Sequence, residues 1–256
     1  MFDERRHDID ALRSIALFLL IFYHLAVSFT SVAKWILFVP NNKPIDNIWS
    51  LLSIFNIWRI PLLFIIAGIA LRFSYQNRGV GKLFKERFKR LGIPYLFGAV
   101  TFVPLYIIIS AQFIYGDMSL DDNIGVLITS IFTGGHLWFL INILIYCLLL
   151  IPIIGFISNK KRGYKFVDSI LKIRGGVLLF SIPIILEGYL LDLTAYKEDI
   201  GYGNSYSEYY GTDHGLLLGF IWFLIGIVLT SQGDTFWEYN IKNINTHALI
   251  GVPLLI

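Results

Sequence analysis

The sequence contains a single cysteine, Cys147, and few charged residues. One cysteine excludes an intrachain disulfide and a metal site built from cysteines. Asp, Glu, Lys and Arg make up only 15% of the 256 residues, whereas hydrophobic residues make up 56%. A soluble domain of this length would need more polar side chains to cover its surface. The composition therefore predicts a membrane protein.

Several motifs of soluble enzymes are also missing. The chain has no internal repeat, no Walker loop and no glycine-rich dinucleotide fingerprint. Its net charge of +3 is modest, and we expect no nucleic-acid partner, no metal and no permanently bound cofactor. The first apolar run is not a cleavable signal peptide, because it lacks a small-residue cleavage site and carries Arg13 and His24.

What the sequence does contain is a series of apolar runs of roughly 20 residues, the length of a helix that crosses a bilayer. They predict an all-α transmembrane helix bundle, and we treat residues 1–256 as one domain. The predicted spans are 8–31, 48–72, 91–111, 132–157, 175–192, 212–231 and a seventh from 246 onward. Because the chain stops inside the apolar run HALIGVPLLI, we expect it to be the N-terminal part of a longer protein.

The distribution of Lys and Arg between the spans predicts the orientation. Segment 72–90 holds seven such residues and segment 158–174 holds six. Segments 32–47, 112–131 and 193–211 hold two, none and one. Basic loops remain on the cytoplasmic side, so the N-terminus is predicted to be cytoplasmic.

Two polar residues bracket the apolar stretch of the first span. Arg13 and His24 are eleven positions apart, close to three helical turns, so they share one face about 16 Å apart along the axis. Asp10 precedes Arg13 by three positions and is a ready partner for it. Arg13 is either an interfacial anchor or part of a site. His24 either makes an interhelical hydrogen bond or acts as a general base.

Arg59 lies near the centre of the second predicted span, where insertion of a charge costs about 2.5–3.5 kcal/mol. One reading is an internal salt bridge. The other is an anion or oxyanion site that faces a cavity. Pro61 loosens the helix nearby, and Gly68 permits close packing.

Other candidates lie near the membrane boundaries. Arg87 and Arg90 are three positions apart at the cytoplasmic mouth of the third span, and they suit either substrate phosphates or lipid headgroups. At the outer boundary, His136, Trp138 and Glu187 are either interfacial residues or part of a substrate site. The outer segment 201–215 is either a flexible loop or a sugar-binding loop.

These residues together resemble the acyltransferase 3 family of bacterial multi-pass membrane acyltransferases, and especially its branch of glucan biosynthesis succinyltransferases. The resemblance covers roughly residues 3–157, and the family usually has about ten spans. The stretch WRIPLLFIIAG departs from the family at Ala67, where a serine is common. The resemblance rests on that stretch, on Asp10, Arg13 and His24, on Arg87, Arg90 and Pro94, and on the HLWFL that begins at His136.

The resemblance implies transfer of an acyl group, of the acetyl or succinyl class, from cytoplasmic acyl-CoA to a hydroxyl of a glycan or lipid-linked acceptor. It places the protein in the bacterial inner membrane. The implied catalytic residues are His24, Arg13, Asp10 and Arg59. The implied CoA-binding residues are Arg87, Arg90 and Arg72, and the implied acceptor-binding residues are His136, Trp138 and Glu187. The alternatives are a transporter or flippase for an anionic solute, which would use Arg59 and His24, and an inactive scaffold.

Overall fold

The computed structural model describes residues 7–31, 33–36, 38–45, 47–76, 78–116, 119–133, 135–157, 162–193 and 213–251. These residues form helices joined by short turns, and no strand occurs among them. The predicted all-α class is therefore confirmed. The predicted sugar-binding reading of segment 201–215 falls almost entirely outside the described residues.

The helices are named here in chain order. They are α1 His7–Val27, α2 Ile48–Gln76, α3 Val80–Arg87, α4 Ile93–Val100, α5 Phe102–Tyr115, α6 Leu120–Thr133, α7 Trp138–Leu150, α8 Ile154–Ile157, α9 Arg162–Lys172, α10 Ile182–Leu193, α11 Asp213–Thr230, α12 Asp234–Lys242 and α13 Ile244–Gly251. Short 3₁₀ turns cover Ala33–Ile36, Gly135–Leu137 and Gly176–Ser181, and a π-helical turn, Phe88–Gly92, joins α3 to α4.

Three helical segments of the described chain are long and apolar enough to cross a membrane: His7–Val27, Trp58–Gln76 and Val80–Tyr115. A fourth is present if the bent pair His214–Thr230 and Asp234–Lys242 counts as one span. The apolar segments Gly135–Leu150 and Gly176–Leu190 are shorter. The number of seven spans therefore stays a prediction.

The centre of the bundle is the contact between α2 and α11. A Cβ atom on Gly68 would lie 2.1 Å from the carbonyl oxygen of Phe223, and one on Gly226 would lie 2.3 Å from that of Ile65. The two backbones therefore touch, as small residues allow in membrane helices. Close packing at Gly68 was predicted from the sequence, and its partner helix is α11.

The contacts of α1 and α11 with α2 give the relative directions of these three helices. On α1, Ile9 packs near Ile66 of α2, whereas Val27 packs near Leu52, so α1 is antiparallel to α2. Helix α11 is parallel to α2, because Arg72 lies at the end of α11 that follows Phe223. We call the end of the bundle where α1 begins and α2 ends the proximal end, and the opposite end the distal end.

Both basic segments lie at the proximal end. Arg72 Nε donates to Ser231 Oγ over 3.2 Å, and Tyr164 Oη, in the first turn of α9, donates to the carbonyl oxygen of Gln232 over 3.4 Å. The sequence predicted that segments 72–90 and 158–174 share one side, and the structure agrees on that relation.

Two segments predicted as loops between spans are helical instead. Helix α6 begins after Ser119, whose backbone N–H and hydroxyl both donate to the Asp122 carboxylate while its hydroxyl accepts from the Asp122 N–H. This reciprocal cap satisfies N–H groups at the helix start. Helix α9 is amphipathic, with Val167 and Leu171 buried beneath an exposed charged side. Charged residues are common in loops and on the outer side of surface helices alike, so they do not distinguish the two.

Candidate active site

The distal half of the bundle contains two stacked imidazoles. His24 projects from the last turn of α1, and His136 from the 3₁₀ turn before α7. Their ring centroids are 5.7 Å apart with an interplanar angle of 21°. His24 is half-buried, whereas His136 is exposed. The fold therefore brings together two residues that the sequence assigned separately to catalysis and to acceptor binding.

Two aromatic rings extend this stack. Phe38, in the segment that follows α1, lies 4.8 Å from His136 and 5.7 Å from His24 between ring centroids. Tyr106 of α5 stacks on His136 with centroids 4.4 Å apart and an angle of 14°. Neither Phe38 nor Tyr106 was selected from the sequence, because an aromatic residue in an apolar stretch carries no local signal of function. We call His24, Phe38, Tyr106 and His136 the imidazole stack.

Gly135 allows His136 to approach α5 this closely. Its φ of +46° lies in the left-handed region, and a Cβ there would meet Val103 Cγ1 at 2.7 Å and the Tyr106 hydroxyl at 2.8 Å. A side chain at position 135 would therefore be strained and would push the turn away from Tyr106. This geometry explains why a glycine directly precedes His136.

Arg59 lies near the imidazole stack, and its guanidinium packs on the ring of Tyr23. The guanidinium carbon is 4.0 Å from the centre of the Tyr23 ring, a cation–π arrangement, and the arginine is only 2% exposed. Its charge acts on His24, the next residue along α1. Helix α2 begins at Ile48, eleven residues before Arg59, so Arg59 lies inside the helix, and its position near the centre of a membrane span stays a prediction. The helix continues to Gln76, four residues past the predicted end.

Asp10 and Arg13 lie near the proximal end of the same helix as His24. Because α1 is unbroken from His7 to Val27, the predicted shared face is retained along it. Asp10 is half-buried and Arg13 is exposed. The Arg13 charge acts on Arg87, which places it with the proximal arginines rather than with the imidazole stack.

The proximal arginines do not act as one pair. Arg87 Nη2 donates to the Ala70 carbonyl over 2.9 Å and to Ser74 Oγ over 2.6 Å, so its guanidinium is turned onto α2. Arg90 is exposed and forms a 3.1 Å ion pair with Glu86. The π-helical turn that begins at Phe88 separates their directions, because a wider turn rotates the later residue off the α-helical face.

Arg72 is also turned inward. It is 8% exposed, and its Nε bond to Ser231 joins α2 to the proximal end of α11. Glu86, which pairs with Arg90, also pairs with Arg78 and thereby links α3 to the turn before it. Of the predicted CoA-binding residues, only Arg90 presents its charge at the surface.

Glu187 and Trp138 have partners of their own. Glu187 of α10 is buried and pairs with His214 at the start of α11. Trp138 is half-buried, with its ring centroid 6.2 Å from that of Phe64. Trp138 thus contributes to the main core rather than to an aromatic belt. His214 lies within segment 201–215, and no sequence signal predicts its pairing with a residue of another helix.

Among the described residues, no group of three or more His, Cys, Asp or Glu side chains could hold a metal ion.

An all-α bundle with helices long and apolar enough to cross a membrane, and with two stacked imidazoles in its distal half, defines an integral membrane protein with a polar site. A family model described as an acyltransferase domain matches residues 6–236. The chain therefore belongs to the acyltransferase 3 family and is an acyltransferase of the membrane. The match extends well beyond residue 157, where the resemblance in the sequence ended. No curated protein and no solved structure matches the chain.

Proposed function

We propose that this protein transfers an acyl group of the acetyl or succinyl class from acyl-CoA to a hydroxyl of a glycan or lipid-linked acceptor. The particular likeness to glucan biosynthesis succinyltransferases is part of this proposal. The observation that carries it is the division of the polar residues between two ends of one bundle. Arg72 and Arg59 are thirteen positions apart on α2, which corresponds to about 20 Å. Phosphates bound at the proximal end would leave the extended pantetheine arm of CoA to reach the imidazole stack.

His24 acts as the general base in this mechanism. A ring nitrogen of neutral His24 accepts the proton of the acceptor hydroxyl while that oxygen attacks the thioester carbonyl. The tetrahedral intermediate collapses by breaking the carbon–sulfur bond, and the proton passes from the imidazolium to the leaving thiolate. The products are the O-acyl ester and CoA thiol, so atoms and charge balance. The buried positive charge of Arg59 favours the oxyanion.

In this proposal, His136 and Tyr106 position His24 by ring stacking and offer flat rings to the acceptor. His136 lies between His24 and Tyr106, and flat rings of this kind can contact the apolar face of a sugar. Acceptor binding by His136, Trp138 and Glu187 stays a prediction, and the Glu187–His214 pair gives the acid a structural role in addition.

The reaction is tested with the purified protein in lipid nanodiscs. Acetyl-CoA and succinyl-CoA are supplied separately, with a glucose oligosaccharide as acceptor, and free CoA thiol is measured beside ester formation by mass spectrometry. We expect thiol release with at least one donor and a matching mass increase on the acceptor. Transport of an anionic solute into sealed vesicles without any thiol release would favour the transporter alternative.

The proximal arginines are expected to differ in their effects. Arg90→Gln should raise the KM for acyl-CoA with little change in kcat or thermal stability, because the side chain is exposed and forms a surface ion pair with Glu86. Arg87→Gln should raise the KM and also lower the melting temperature, because it removes the bonds to Ala70 and Ser74. Steady-state kinetics measure the KM and kcat of each variant, and scanning fluorimetry measures its melting temperature. Lys34→Gln, an exposed charge in the 3₁₀ turn after α1, serves as the control. An unchanged KM in Arg90→Gln would leave lipid headgroups as the partner of this arginine.

The proposed orientation puts the proximal end in the cytoplasm of a bacterial inner membrane. Single cysteines are introduced at Lys82 and Asp121, both exposed, in a Cys147→Ala background. A membrane-impermeant maleimide added to intact spheroplasts should label position 121 and should label position 82 only after lysis. The opposite pattern would reverse the orientation while leaving the relation between the two ends intact.

A further inference from the structure

Helix α9 has one face that packs on the protein. Val167 and Leu171 are buried and join a core cluster with Ile225 and Leu229 of α11. This contact fixes the rotation of α9 about its own axis. The residues that remain outside are therefore determined by the helical period.

The outward side of α9 divides into two flanks. Phe166 is 68% exposed, and Ile173, just past the helix end, is 56% exposed. Lys165 and Lys172 are exposed as well. Residues seven apart nearly coincide on a helix, and adjacent residues differ by about 100°. One flank is thus apolar, and the next is cationic.

The position of α9 sets these flanks at a membrane surface. Helix α11 is apolar, and α12 is bent from it by 99° at the proximal end, so α12 runs across the end of the bundle. Helix α9 packs beside α12. Tyr164 Oη donates to the carbonyl oxygen of Gln232 in the turn before α12, and Arg174 Nε donates to Thr246 Oγ1 of α13 over 2.9 Å. A helix in this place lies at the level of the lipid headgroups.

We propose that α9 is an interfacial helix that binds anionic phospholipid, with Phe166 and Ile173 at the headgroup–acyl boundary and Lys165 and Lys172 on the phosphates. The arrangement combines apolar contact with charge attraction, the two contributions that hold amphipathic helices on membranes. Lys172 donates a hydrogen bond to the Asp168 carboxylate over 2.6 Å, which raises the pKa of Lys172. This proposal is independent of the acyltransferase mechanism.

Spin labels measure the depth of each flank. In the Cys147→Ala background, Phe166→Cys and Lys165→Cys are labelled separately and reconstituted in vesicles that contain phosphatidylglycerol and phosphatidylcholine. The ratio of oxygen to nickel accessibility should be severalfold higher at position 166 than at position 165. Ile173→Cys repeats the measurement if the label at 166 disturbs the fold. Equal and high nickel accessibility at 165, 166 and 173 would overturn the proposal and leave a water-facing surface open to a protein partner.

The lysines are tested by the lipid dependence of the label at position 166. The mole fraction of phosphatidylglycerol is varied. The midpoint is the mole fraction at which the label at position 166 reaches half of its full immersion in the membrane. A lysine near a membrane surface typically changes binding about fivefold. Lys165→Gln should therefore shift the midpoint by about that factor, whereas Lys43→Gln, an exposed charge at the distal end, should not. An unchanged midpoint with both lysines replaced would show that the helix has no preference for anionic lipid.

Discussion

Replacing His24 by alanine is expected to lower the rate of acyl transfer by about 10²–10⁴-fold, the usual contribution of a general base. The alanine keeps the helix, because α1 is continuous and His24 lies on its half-buried side. The effect should fall on kcat rather than on the KM for acyl-CoA, since the donor phosphates are assigned to the opposite end of the bundle. Thiol release and ester formation in nanodiscs measure it.

Leu25→Ala is the matched control, because Leu25 is the neighbouring residue on α1 and is 62% exposed on the outer side of the helix. Its turnover should remain near that of the unmodified protein. His24→Asn should keep a polar group in the stack without supplying a base, so it should remain folded and inactive. Near-normal turnover in His24→Ala would reject His24 as the base and leave His136 as the candidate.

Gly68→Ala is expected to destabilise the protein by roughly 1–3 kcal/mol or more, the range for an overpacked core. The added methyl group would start 2.1 Å from the carbonyl oxygen of Phe223, a backbone atom that no side-chain rotation can move. Helices α2 and α11 would have to separate along their main contact. The measurement is the melting temperature in detergent, with tryptophan fluorescence as the signal that reports unfolding.

Gly188→Ala provides the control, because Gly188 is also helical and a Cβ there would meet nothing within 4 Å. Alanine favours a helix by about 1 kcal/mol over glycine, so this variant should melt at the same temperature or slightly higher. Similar melting temperatures for the two variants would mean that the contact between α2 and α11 does not limit stability.

The outcome for the helices shows where sequence reasoning succeeds. Apolar stretches such as His7–Val27 had to be helical, because a lipid-exposed backbone must satisfy its own hydrogen bonds. The same argument was incomplete for segments 112–131 and 158–174, where the helix α6 and the amphipathic helix α9 form. Both helices have sequence signals, namely the Ser119–Asp122 cap of α6 and the spacing of Val167 and Leu171 in α9.

The candidate site shows which contacts the sequence does not predict. The spacing of Arg13 and His24 predicted a shared face, because the helical period acts over a few turns of one segment. No such rule joins His24 to His136, or Glu187 to His214, since these residues lie on different helices. The direction of Arg90 relative to Arg87 depends on a single π-helical turn after α3.

The sequence by itself determined that this chain is an all-helical membrane protein, that its basic segments lie on one side, and that one face of α1 carries Arg13 and His24. These features follow from local composition and helical period, which need no knowledge of neighbours. Only the tertiary structure decided which polar groups meet, because the contact of α2 with α11 and the left-handed turn at Gly135 set how the helices pack. That packing, rather than any motif, assembled Phe38, Tyr106 and the two histidines into one stack.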